Sequence, residues 1–513
     1  MKPIRTWIVA GSTLAVAAFA ACTTFERPPD APAGDAGTVL PDGAVVLQEA
    51  SVLTPAPPPF DGSVPFTMTT PTDPVVAVRG RSPGVVDVKV EPVIKGEVTL
   101  DGLPTGVTAK AVTLDNQGAA KLTIDVPAGT RSGTFEVTVR AKQLAAPSTA
   151  SAKVKLEIRG ASGEVDETFA GYLKPIPATS PMTYVSVASL LPLEDGSLLL
   201  SDTKVLRKLR VDGTPDTTFG NQGIVAIANE TAGRLLKSGA SVFATFTAAD
   251  GVRCYAVDPS TGATTLSYLL PTAEIAGAAL TIWTTLAPPS TLVIGGAKGA
   301  NWFATAFDAA TQSPATWGNA GSIAGTTNAP PAFAFFTGTQ DDLFARRPSG
   351  ADHVVLSKQG GVLSTTSLDF GSPFQVAGIA KIGEGKFVIA QGSGGLQLLS
   401  IADGQVSALG PVYSGAFGGS VAQTNFHALP DGFVAIGVRS GTLGVLVVRT
   451  DRQGLPYPGF GASGEVIVGG SPGSDVLPSG TQQTALTADK LKLMVATTGG
   501  GLSTSFYLTR IWL

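Results

Sequence analysis

Residues 211–225 read VDGTPDTTFGNQGIV. Two Asp, a Pro, a Phe and three Gly in fifteen positions suit either a loop that cradles a metal or phosphate, or a turn between strands. A ligand loop keeps its acids wherever it recurs. Gly213 precedes Phe219 by six positions, and the spacing returns at Gly163 and Phe169 and at Gly454 and Phe460. Trp317-Gly318-Asn319-Ala320-Gly321 parallels Phe219-Gly220-Asn221-Gln222-Gly223. Yet Tyr457 and Pro314 stand where Asp216 does. The Gly-to-aromatic spacing survives and the acid does not, so the stretch reads as architecture, with Phe219 buried where repeats meet.

A second set of segments has the same spacing. LLPLEDGSLLLS, RLLKSGASVFAT, TLAPPSTLVIGG, FTGTQDDLFARR, IAKIGEGKFVIA, HALPDGFVAIGV and ALTADKLKLMVA each place a polar turn between two apolar strands. Their turns fall near Gly196, Gly239, Ser290, Asp341, Gly385, Gly432 and Asp489, a period of about 49 residues. Asp212, Asp258, Asp308, Asp403 and Asp451 form another column at strand ends. Four short strands per unit of this length predict a β-propeller, here of seven blades over residues 160–513. The terminal SFYLTRIWL matches the third strand of a unit and lacks a fourth. The missing strand is expected from residues 163–179, pairing 171–177 with 505–512 and removing an open edge.

Composition agrees with an all-β chain. Of 513 residues only 14% are charged, while Gly (62) and Pro (37) are abundant. A net charge of -4 and the absence of any basic run exclude a nucleic-acid partner.

Residues 66–159 alternate apolar and polar positions, as in Val85-Val86-Asp87-Val88-Lys89-Val90 and Phe135-Glu136-Val137-Thr138-Val139-Arg140. Short strands at this spacing predict a two-sheet sandwich. Residues 22–65 carry many prolines without hydrophobic periodicity and read as an extended, disordered tether. Lys2 and Arg5 precede an apolar run ending at Ala21, the length of a signal-peptide core over residues 1–21.

Three resemblances follow from these residues. Ala20-Ala21-Cys22 resembles a bacterial lipobox, which implies lipidation of Cys22, a membrane partner through that lipid and, with Thr23 in place of Asp, an outer-membrane address. LDGLPTGVTA and LTIDVPAGTRSGTFEVTVRA resemble the immunoglobulin-like modules of bacterial surface proteins. Asp212, Gly213, Asp216, Phe219, Gly220 and Gly223 resemble the delta-60 repeat of secreted and surface bacterial proteins, a family defined by its repeat and not by an activity.

The search for chemistry is brief. His353 and His427 are the two histidines, and neither has metal-ligand spacing. His427 reads as a packing residue and Cys254 as a small buried apolar one. No phosphate loop, nucleophile elbow or calcium loop is present, so no catalytic, metal or cofactor residue is assigned. TGTQDDLFARRPSGADH is the one dense polar stretch. Asp341, Asp342, Arg346 and Arg347 form a candidate binding patch there, although turn position favours solvated charges.

The expectation is an all-β envelope protein, an immunoglobulin-like sandwich followed by a seven-bladed propeller. It would bind or scaffold a protein or glycan partner through the propeller face, without catalysis. The alternative is a propeller enzyme, a glycan hydrolase or lyase, with acids from different blades meeting at the central channel.

Overall fold

A computed structural model describes residues from 65 to 513 with breaks, the longest at 178–186, 272–282, 309–321, 414–424 and 470–482. Cys22, the tether and Trp317 lie outside the described residues. Every regular element among those described is a strand.

Two sheets come first. Thr67–Thr69, Gly84–Glu91, Ala119–Asp125 and Thr108–Ala109 make one of four strands. Val75–Val78, Thr149–Arg159, Gly133–Gln143, Gly96–Asp101 and Val112–Thr113 make the other. Along Gly84–Glu91 burial alternates strictly, because successive side chains leave a strand on opposite faces. Val86, Val88 and Val90 thereby meet Val137, Val139 and Leu156 from the second sheet in a single core. Each such side chain taken wholly from water contributes about 1.5–3 kcal/mol.

Seven sheets of four strands follow, each an antiparallel series. Their first strands are Ser189–Pro192, Thr231–Ser238, Trp283–Ala287, Pro331–Thr337, Val376–Gly383, Asn425–Leu429 and Gln483–Leu486. Each packs against the next, and the last packs against the first. That closed circuit of first strands is the geometry of a β-propeller. Sheet faces are buried between neighbours: Leu199 and Leu206 of the first sheet share a core with Leu235, Val242 and Phe246 of the second. Leu198 and Leu200, on the other side, join Met494, Ala496 and Leu508 of the seventh.

Closure follows the sequence expectation at residues 176 and 177, while residues 171–175 of the expected pairing lie outside the described residues. The seventh sheet runs Gln483–Leu486, Lys492–Thr498, Ser505–Trp512 and then Ile176–Pro177 from the beginning of the ring. Ile176 pairs with Phe506 and Pro177 with Ser505. Earlier in the segment, Gly163 N–H donates to Trp512 O, Trp512 N–H to Glu164 O, and Asp166 N–H to Arg510 O.

The opening stretch is the seam between sheets. Phe219, Phe460 and Phe169 are all fully buried at sheet boundaries. Their backbones repeat one pattern: Phe219 N–H donates to Asp216 O, Phe460 N–H to Tyr457 O, and Phe169 N–H to Asp166 O. The next residue reaches across. Gly220 N–H donates 2.8 Å to Thr261 O in the second sheet's outer turn, and Gly461 N–H donates 3.2 Å to Ser162 O beside the seventh. Gly220 and Gly461 have φ of 55° and 50°, and a Cβ at either would strike the carbonyl of Ile224 or Glu465, so glycine is required.

Two readings change. The Asp column slips: Gly213 N–H donates to Arg210 O and Gly454 N–H to Asp451 O, so Asp451 occupies the place of Arg210, not of Asp212. Both acids form Asx turns, receiving the N–H two residues on, which a short acid does at either position. Asp341, by contrast, is not in a turn. It lies within the strand Gln340–Arg347, paired with Phe336.

Candidate functional site

The polar stretch around Asp342 builds a buried ionic cluster between two sheets. Asp342 lies on the second strand of the fourth sheet, opposite Val355, and His353 on its third strand, opposite Phe344. Lys381 comes from the first strand of the fifth sheet, Val376–Gly383. His353 Nε2 stands 2.8 Å from Asp342 Oδ1, and Lys381 Nζ donates to Oδ2 at 2.8 Å. The three side chains are only 5–8% exposed. The imidazole stacks on Phe344 with ring centroids 4.5 Å apart, and Phe387 meets both rings edge-on. Asp352, on the other face of the same strand, accepts from Ser367 Oγ at 2.8 Å.

Burial pushes the Asp342 carboxyl up, but hydrogen bonds from His353 and Lys381 outweigh it and hold the group below the usual range. This corrects the expectation of solvated turn charges at Asp342, since the strand carries it into the boundary between sheets. For Asp341, Arg346 and Arg347 the backbone is placed on that strand, while their side chains lie outside the described residues. The proposed patch therefore has one member turned to internal use. Lys381 was not legible from the sequence, because it arrives from the next repeat, 39 residues away.

The seam carries cations at one recurring position. Lys208, Arg449 and Arg510 are the residues whose carbonyls accept from Asp216, Tyr457 and Asp166, and all three are buried. Lys208 Nζ lies 3.0 Å from Asp216 Oδ2. Asp166 is fully buried between Arg510 at 2.8 Å and Lys492 at 2.9 Å. Where Tyr457 replaces the acid, the Arg449 guanidinium lies 3.6 Å from the ring centroid and pairs with Asp431 at 2.8 Å. A hydrogen bond from Thr218, then one from Lys208, draws Asp216 down to about 2. These acids are committed to turns and seams and are not poised for proton transfer.

Both remaining candidates from the sequence have packing roles. His427, on the first strand of the sixth sheet, bonds through Nε2 to Thr484 Oγ1 on the first strand of the seventh, at 2.7 Å. Burial pushes its imidazole down to about 4, so it is neutral at neutral pH. Burial pushes the Cys254 thiol up to about 12, which leaves it protonated and unreactive. Among the described residues no three His, Cys, Asp or Glu side chains group as metal ligands.

No family model matches the sequence, and no curated protein matches it. Solved structures of similar chain course include a putative 6-phosphogluconolactonase from Bacteroides fragilis NCTC 9343, 10% identical, covering 73% of this chain and 96% of that one, with a TM-score of 0.40. The Neurospora crassa Pan2 WD40 domain is 10% identical over 66% of this chain and 94% of that one, with a TM-score of 0.42. Hydrazine synthase from Kuenenia stuttgartiensis is 11% identical over 65% and 97%, with a TM-score of 0.44. The propeller assignment rests on this chain's own sheets and their contacts.

Proposed function

We propose that this protein is a lipid-anchored scaffold of the bacterial envelope, held through Cys22 at the outer membrane. In this reading an immunoglobulin-like sandwich spaces a seven-bladed propeller of delta-60-type repeats, and the propeller face binds a protein or glycan partner without catalysis. The observation that carries it is the set of ion pairs that joins the first two sheets to the ring. Arg79, buried beside the strand Val75–Val78, binds Glu164 Oε2 at 2.7 Å, Glu167 at 3.4 Å and Thr130 O at 3.0 Å. A module that presents one surface at a fixed distance and angle needs such a joint, whereas a flexible spacer does not.

The seven first strands, which surround the axis of such a ring, contain no Asp or Glu. A glycan hydrolase or lyase with paired acids would have to bring them from elsewhere. The reading is tested by crosslinking and pull-down from intact envelopes. Recovery of one partner that is lost when the propeller loops are exchanged supports it. Glycan turnover by the purified protein would replace it with the enzyme. Acyl-chain labelling tests the anchor, and a Cys22→Ser protein that still takes label refutes that part.

A further inference from the structure

Lys381 and Asp342 meet at the boundary between the fourth and fifth sheets. Both side chains are 8% exposed, they belong to adjacent sheets, and the Lys381 ammonium lies 5.8 Å from the Phe387 ring centroid. The second carboxyl oxygen is held by His353. From this juxtaposition we propose that Lys381 and Asp342 become joined by an intramolecular isopeptide bond between the fourth and fifth sheets.

The chemistry is a condensation. One ammonium proton of Lys381 passes to Asp342 Oδ2 across the 2.8 Å hydrogen bond. The freed amine attacks Cγ, and His353 Nε2–H steadies the charge that develops on Oδ1. A second amine proton goes to Oδ2, which leaves as water. Ammonium and carboxylate become amide and water, with no oxidant, reductant or outside co-reactant. Fixed proximity supplies the effective concentration, and the apolar wall strengthens the stabilising hydrogen bond. It also leaves the expelled water little reason to return.

Asp166 provides the internal contrast. It too is buried and touches a lysine, Lys492, at 2.9 Å, but its other partner is Arg510. A guanidinium does not give up its proton, so it holds Asp166 as carboxylate, a poor acyl group for an amine. Asp342 rests as a carboxylate too, but neither of its partners, an ammonium and an imidazole, is a fixed cation, so either can pass it a proton. The arrangement thus assigns the bond to Asp342 and not to Asp166.

The test is the intact mass of the full mature chain under denaturing conditions, with proteolytic mapping. The expected mass is lower than the sequence mass by one water, and a branched peptide joins the strand Gln340–Arg347 to Val376–Gly383. Lys381→Arg keeps the charge and the contact but restores the full mass. His353→Gln slows the loss of water after refolding by about tenfold or more. A wild-type chain at full mass overturns the proposal. So does a deficit that persists in Lys381→Arg, since the water then came from another dehydration such as succinimide formation.

Discussion

Arg79 and Glu164 join the first two sheets to the ring through a 2.7 Å ion pair, and Glu164 sits on the segment that closes the ring. The same Glu164 Oε2 accepts the N–H of Ala161, so one carboxylate fixes both the linker and the arginine. Replacing Arg79 with Ala leaves that carboxylate without its cation and Thr130 O without a donor. Because Glu164 remains 40% exposed, the expected cost is modest, about 1–2 kcal/mol. Urea unfolding of the wild type is expected in one transition for both parts, and Arg79→Ala is expected to split it. Two transitions in the wild type would show that the joint is not rigid.

Phe219→Ala should cost about 3–5 kcal/mol, and Phe460→Ala a similar amount, because each leaves a large cavity between packed sheets. Asp212→Asn, at an exposed turn, should cost under about 1 kcal/mol. Chemical denaturation of the three variants checks the order. A severe effect of Asp212→Asn with mild effects of the Phe changes would return the stretch to a ligand-binding reading.

His427 sets a pH dependence in the mildly acidic range. Its folded value of about 4 lies below the ordinary unfolded value near 6.5. The unfolded chain therefore binds the proton first, and stability declines as pH falls from about 6.5 to about 4. His427→Gln keeps a hydrogen-bonding group opposite Thr484 and should flatten that limb. Thermal melts across this range provide the measurement, and an unchanged slope in the variant would assign it elsewhere.

Asp216 acts at lower pH with the same sign for a different reason. Its carboxylate is favoured in the fold by Thr218 and Lys208, so its contribution is complete above about 4 and is lost as pH approaches 2. Asp216→Asn should remove this part of the acid limb and leave the His427 part intact. Separate titration of the two variants distinguishes them.

The hairpins and the ring closure were legible because period-two alternation and a missing strand are properties of short segments and of counting. Ile176 opposite Phe506 is the outcome of that count. The Asp column misled by two residues, since Asp212 and Asp451 cap turns equally well from either position. The Asp342 cluster was hidden for a deeper reason. Asp342, His353 and Lys381 meet only when one repeat docks on the next, and no local pattern records which faces a boundary will bury. Arg79 was hidden likewise, its partners lying 85 and 88 residues on.

Ring closure also imposes an order of events. Asp166 waits for Arg510 across 344 residues of chain, and six sheets lie between the two parts of the seventh. At ribosomal speeds of about 5–20 residues per second, that is a wait of tens of seconds. During this time the closing segment is an unpaired strand with a neighbour still to be made.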